Sequence, residues 1–474
     1  MNQTTSTALS PKRIIGFSCY QGFIYAVFYM GANRALHIGD FAVERADLLA
    51  TLLGMVLVFA IMAARPKWAK KILGSDAALA ACAFMLTAGA LVPSLSETPN
   101  YQGVFFEGLF IGLPMAVLLI AWGRVLGYSS PRTAAFEIFA STGIAAAVCF
   151  IATFCGPEAP FALSIVLPAA STGILLVSGA GSASTARSQA PLDAGESDQT
   201  SRSEILTHRM LAGAGMFGLA AGLMETFRSN PGASSTPMFA STLLILALFC
   251  IPVLQSLRGK SDPRDESLGS AYRIAILVTL AGFLFIPVFY NSGVPGEAIV
   301  LAGCLGLTAS LIALFIAVSV LRGIDSAMAF CRGFGFLYAG EALGIIAGNA
   351  IDSLGFSSEI QYGMTAFAGL AMLVAYLFLF TENDFVELSA IVDATESENA
   401  MFDAIVAEAK LSQRESEVLA LALKGRTNER IAQELYVAKS TVDTHLRRIY
   451  SKAGVHSRQE LLDYGEDLVQ HPRR

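Results

Sequence analysis

Twelve stretches of about twenty mostly apolar residues, separated by short polar loops, fill residues 1–380 and leave the chain few folds to choose from. They are 14–33, 46–64, 75–94, 102–122, 134–155, 161–180, 209–227, 238–257, 271–290, 297–320, 327–350 and 361–380. A helix needs ~20 such residues to cross the hydrocarbon core of a bilayer. Lipid offers no partner to a backbone N–H or C=O, so such a stretch must satisfy its own and folds as a helix. The chain is 54% hydrophobic and 15% charged, where a soluble domain carries about 25% charged residues, and its mean hydropathy is +0.57. The first stretch has no small-residue cleavage site and is long enough to span, so it predicts a membrane helix rather than a signal peptide. The seven cysteines all lie in apolar segments without ligand spacing and read as small buried hydrophobes.

Loop charge predicts the orientation. With the N-terminus inside, seventeen Lys and Arg fall in inside segments, from Lys12 and Arg13 to Arg322 and Arg332. Only Arg34, Arg45 and Arg228 fall outside. Cytoplasmic loops carry the Lys and Arg excess, so a multi-pass protein of the cell (inner, cytoplasmic) membrane is expected, in contact with lipid and with both termini in the cytoplasm. The longest interruption, 181–208, is rich in Gly, Ser and Ala and carries Asp193, Glu196 and Asp198. It predicts a flexible linker between a first half, 1–180, and a second half, 209–380. Six spans, a cytoplasmic linker and six more spans resemble the major facilitator superfamily in architecture. That resemblance implies two six-helix halves around a midplane cavity.

Residues 381–410 hold eight acids against Lys410 alone and predict a partly helical acidic connector. The C-terminal stretch, 411–474, has a different period. A helix over 412–423 ends at Gly425; Thr427 or Asn428 caps a second helix running to Leu435; Tyr436, Val437 and Ala438 make a turn; a third helix starts near Lys439 and ends at Gly454. Val442, Leu446, Ile449 and Ala453 form one apolar stripe of that third helix, opposite Ser440, Asp443, Thr444, Arg447 and Ser451. Ser457 and Glu460 form a capping box opening a fourth helix. These residues resemble the helix-turn-helix of LuxR-type transcription regulators at nearly every motif position. The whole chain is therefore expected to be all-α: a polytopic membrane bundle of about twelve spans, six plus six, followed by a small soluble four-helix domain.

The resemblance implies a double-stranded DNA partner, a promoter. It places Asp443, Thr444 and Arg447 at base-reading positions. Thr427, Asn428, Lys439 and Thr441 fall at phosphate-contact positions, with Arg448 and Lys452 beside the polar stripe and Arg458 at the start of helix four. Asp443 departs from the many relatives that carry Lys or Arg there; an acid can accept from a cytosine amino group. His445 reads as packed or phosphate-facing. The head carries 11 Lys or Arg and 9 Asp or Glu from 411 to 474, too weakly basic to bind tightly alone, so paired heads are expected, with Leu461, Leu462 and Val469 on helix four as the contact.

Ionisable residues inside spans are costly and mark cavities or partners. Glu107, Glu137, Glu225 and Glu341 are the candidate ligand contacts for a small molecule, Glu341 foremost because small residues flank it. No phosphate loop, metal spacing or nucleophile–base pattern appears, so no enzymatic activity, catalytic residue, cofactor or metal is expected. Two functions fit: a membrane-embedded one-component transcription regulator, or a secondary transporter with a DNA-binding or regulatory tail.

Overall fold

A computed structural model describes residues 9–30, 35–39, 41–92, 100–127, 129–156, 158–178, 198–227, 237–258, 267–286, 296–322, 326–354, 358–381, 384, 401–423 and 425–470. The chain divides into two compact units, one within 5–389 and one within 390–474. Much of the expected linker, 181–197, and of the connector, 385–400, lies outside the described residues.

The membrane unit is helical, as the apolar runs require. Its first half comprises α1 (Pro11–Phe28), α2 (Ala46–Ala64), α3 (Pro66–Leu73), α4 (Asp76–Leu91), α5 (Tyr101–Leu126), α6 (Pro131–Ala152) and α7 (Ala159–Val177). The second comprises α8 (Asp198–Thr226), α9 (Pro237–Arg258), α10 (Ser267–Phe285), α11 (Gly296–Arg322), α12 (Ser326–Ser353) and α13 (Ser358–Val374), the last continued by a π turn over Ala375–Leu379. Each expected span overlaps a helix. Among the described residues seven helices are long and apolar enough to cross a membrane, or eight with α3 and α4 counted as one span bent by 81°. Helix starts are set by local chemistry: Ser75, Asn100 and Ser130 accept from the N–H groups of Ala78, Gly103 and Thr133, each satisfying a donor that the helix itself cannot.

Three departures from the sequence reading stand out. The seventh span begins at Asp198 rather than 209, so the helix takes in the end of the expected linker. Two short strands, β1 (Ala35–Ile38) and β2 (Phe41–Glu44), pair antiparallel, with Ile38 opposite Phe41. The all-α expectation missed them. Third, a short helix, α14 (401–408), belongs to the C-terminal unit: Met401, Ile405 and Ala409 are buried in its core. The expected boundary at 411 therefore falls too late, because these three apolar side chains share one helical face and need a partner.

Within the membrane unit the halves meet along α2 with α12 and along α6 with α9. Inside the second half α8 and α12 touch backbone to backbone. A Cβ at Gly218, Gly222, Gly340 or Gly344 would stand closer than 3.0 Å to main-chain atoms of the facing helix. In lipid, where apolar burial against solvent no longer drives association, such close approach supplies the packing energy.

Candidate nucleic-acid interface and membrane cavity

The C-terminal unit builds four further helices: α15 (Gln413–Leu423), α16 (Asn428–Glu434), α17 (Lys439–Ala453) and α18 (Arg458–Gln470). Ser412 opens α15 through a capping box: its N–H and hydroxyl donate to Glu415 Oε2 at 2.8 and 2.9 Å. Sequence reasoning missed this box, although Ser412 and Glu415 have the spacing. Gly425 and Gly454 adopt φ of +75° and +72°, the left-handed termination read from sequence. Thr427 caps α16, accepting from the Arg430 N–H at 3.3 Å. Ala438 stands at the same position before α17, with no side chain able to cap. Ser457 and Glu460 form the box expected for α18.

The apolar stripe Val442, Leu446, Ile449 and Ala453 is buried, and Ser440, Thr444, Arg447, Arg448 and Ser451 are exposed on the other side of α17. This is the geometry of a helix presenting a polar face to a groove. Several expected contact residues are engaged within the head. Asn428 Nδ2 donates to Asp443 Oδ1 at 2.7 Å, tying α16 to α17 and occupying both side chains. Lys439 pairs with Glu429, which holds the Glu429 carboxyl below its ordinary value and raises the Lys439 ammonium. The Thr444 hydroxyl donates to the Ser440 carbonyl at 2.8 Å. Lys452 Nζ lies 2.6 Å from Glu415 Oε2. That bond, with the Ser412 donors, pulls the Glu415 carboxyl down to about 2. Arg458 donates to the carbonyls of Ala422 and Arg426, covering the end of α15. Arg458 and Lys452 thus also serve the head's own structure. Thr441, Arg447 and Arg448 stand exposed, as phosphate and base contacts require. His445 is half-buried, with Nδ1 enclosed and without a partner.

Two further corrections concern the surface. Leu461 is 1% exposed and belongs to the core, so it cannot serve a contact between heads; Leu462 is half-buried. The side chain of Val469 lies outside the described residues. Tyr436, in the turn before α17, is 95% exposed with φ +53°, a position sequence reasoning treated only as a turn.

In the membrane unit a partly open cavity lies between the halves. It is lined from α1, α2 and α5 on one side and α8, α11 and α12 on the other. Of the four candidate acids, Glu225 and Glu341 line it; Glu107 is buried away from it, and Glu137 does not reach it. Glu137 instead receives Arg13 Nε and Nη2 at 2.8 Å each and the Ser10 N–H at 2.9 Å, clamping the start of α1 to α6. Glu225 is bound by Arg45, whose Nε and Nη2 lie 2.9 and 2.7 Å from Oε2, and by the Tyr29 hydroxyl at 2.5 Å. Arg45 also donates to the Phe28 carbonyl at 2.9 Å and lies over the rings of Tyr29 and Phe239. Arg45 is 2% and Glu225 1% exposed, so this is a buried ion pair between the two halves. Beside it, Asn349 of α12 clasps the Glu44 backbone, accepting from its N–H at 2.6 Å and donating to its carbonyl at 3.1 Å. Burial, with Asp352 nearby, pushes the Glu44 carboxyl up to about 7.

Residues 409–464 match the family described as bacterial regulatory proteins, luxR family. The head is a LuxR-type helix-turn-helix domain. Over 66 residues the chain is 44% identical to the HTH-type transcriptional regulator MalT of Vibrio campbellii and equally to that of Vibrio parahaemolyticus. The match takes in 14% of this chain and spans about 7% of the length of those curated relatives. Among solved structures, the human organic anion transporter MFSD10 (TETRAN) is similar at TM-score 0.47 and 14% identity, over 78% of this chain and 100% of that one. The transporter FucP in its outward conformation is similar at TM-score 0.45 and 14% identity, over 76% of this chain and 97% of that one. A bacterial homologue of the iron transporter ferroportin is similar at 0.44 and 14%, over 80% and 98%.

Proposed function

We propose that the chain is a membrane-embedded one-component transcription regulator, in which the helical bundle senses a small molecule and the LuxR-type head binds promoter DNA in response. The observation that carries this reading is the joining, in one chain, of that head to a bundle of apolar helices enclosing a cavity. A head that reads DNA must face the cytoplasm, and the charge of the loops favours the same orientation for both termini. Thr444 and Arg447 are the base-reading candidates that stay exposed, with Thr441 and Arg448 at the phosphates. Lys439 and Asn428 join them on giving up Glu429 and Asp443. With so small a positive excess, two heads act together on one operator, because phosphate contacts supply most of the affinity.

Immunoprecipitation of cross-linked DNA with the full chain should recover discrete promoters, and a chain lacking 437–454 should recover none. A reporter fused after Thr381 should read cytoplasmic; a reading from the other side of the membrane would sink the proposal, since the head could not then reach DNA. The cavity between the halves also favours a second reading, a secondary transporter with a regulatory tail. In that case a chain ending before 411 would still accumulate the cavity's ligand in vesicles, and promoter recovery would fail with the full chain.

A further inference from the structure

We propose that the cavity between the halves is a receptor site for an organic monocation, with Glu341 as the counter-ion. This rests on the sensor reading above and names its ligand class.

Among the described residues the lining holds two carboxyl groups and no Lys, Arg or His. Glu225 is already matched by Arg45 and Tyr29. Among the described residues Glu341 has neither a hydrogen bond nor an ion pair. The cavity wall therefore carries one carboxyl group that no base of the described residues pairs with. An isolated carboxylate in an apolar enclosure is expensive and is relieved by a proton or by a cation. A cation offers the ionised carboxyl a partner that neither an anionic nor a neutral ligand supplies.

The remaining wall suits a cation with an apolar body. Tyr25, Tyr338 and Phe217 contribute aromatic surface, and ring faces attract ammonium groups. Thr51 also lines the cavity; it is fully buried, and among the described residues its hydroxyl has no hydrogen-bond partner. An enclosed polar group without a partner marks a place where a ligand or water completes the bonding. Thr51 belongs to α2 and Glu341 to α12, so a ligand meeting both would bridge the two halves. Glu341 is also held firmly: Gly340 and Gly344 bring its stretch of α12 onto the α8 backbone, which limits the reorganisation needed for binding.

The test uses the full chain in nanodiscs, with empty nanodiscs as background. The probes are tetramethylammonium, benzyltrimethylammonium and benzyltributylammonium, which keep their charge at every pH, and benzylsulfonate as the anionic control. At least one ammonium should bind saturably, Glu341→Gln should weaken it tenfold or more, and benzylsulfonate should not compete. In the unmodified chain binding should weaken as the pH falls, because the proton and the probe compete for the same carboxylate. That series needs no variant and keeps the test intact if Glu341→Gln fails to insert. Binding that ignores both pH and Glu341→Gln, displacement by benzylsulfonate, or no saturable binding of any ammonium would overturn the proposal. Promoter recovery separates this from the sensor reading: cation binding through Glu341 without any change in promoter recovery leaves the site and removes the sensor. A chain that recovers promoters but binds no cation keeps the regulator and removes the site.

Discussion

The most direct test of the head's construction is Ala438→Ser. Ala438 precedes the recognition helix α17 with φ −72° and ψ 147°. Thr427 precedes α16 with φ −69° and ψ 157°, and its hydroxyl accepts from the N–H three residues on. A serine at 438 would therefore present its hydroxyl to the Thr441 N–H in the same way, and Ala438 is exposed, so nothing obstructs it. Installing a capping side chain in place of Ala is worth about 0.5–2 kcal/mol. Here the Thr441 N–H already bonds the Ala438 carbonyl at 2.9 Å, so the gain falls at the lower end, about 0.5–1 kcal/mol. In a domain of this size that raises the melting temperature by about 2–8 °C. Urea unfolding of a 390–474 fragment, followed by circular dichroism, should show a higher midpoint at unchanged slope. Thr427→Ala is the calibrating variant and should lose about 1 kcal/mol. If Thr427→Ala destabilises and Ala438→Ser does nothing or worse, the capping argument is wrong at this helix.

Acid should loosen the head in a defined window. The Glu415 carboxyl is depressed from 4.5 to about 2 in the folded head, so its contribution is complete above about 4.5 and is lost as the pH falls towards 2; Glu415→Gln should abolish that phase in pH-dependent melting curves. Asp443→Lys frees Asn428 and turns an acid on the polar face into a base; the salt dependence of duplex binding should steepen by about 0.9 in log–log slope, and an unchanged slope would mean that this position does not face phosphate. Gly218→Val drives a side chain into the Leu337 carbonyl and should cost about 1–3 kcal/mol or more. Gly363→Val, with open space around its Cβ position, should be neutral; equal thermal stability of the two variants in detergent would refute the close α8–α12 contact.

What was legible in the sequence had a period. Apolar runs near twenty residues long declared the membrane helices, and the stripe from Val442 to Ala453 declared the recognition helix with its polar face. Hidden features depended on partners distant in sequence. Glu137 and Arg13 are 124 residues apart, and Glu225 and Arg45 are 180 apart, so each acid looked like an unpaired candidate until the fold supplied its base. Glu341 remained a candidate because no base came. Other misses were readable. Leu36 and Ile38 alternate with polar or small neighbours before Gly39 and Asp40, a hairpin signal, but four-residue strands give little period to weigh. Met401, Ile405 and Ala409 recur at helical spacing among acids, and the surrounding charge obscured them. Asp443 and Arg458 were assigned by the places they hold in a motif, and motif position says nothing about bonds a side chain makes inside its own domain.

The pairing of Arg45 with Glu225 also imposes an order in time. During synthesis Arg45 emerges about 180 residues before the acid that receives it, a delay of roughly 10 to 40 s at ordinary elongation rates. Through that interval the hairpin and the first half are held without the bond that later seals them, and Arg45 must stay hydrated at the bilayer edge. The first half is therefore an unfinished object until α8 arrives, with one guanidinium still waiting for its acid.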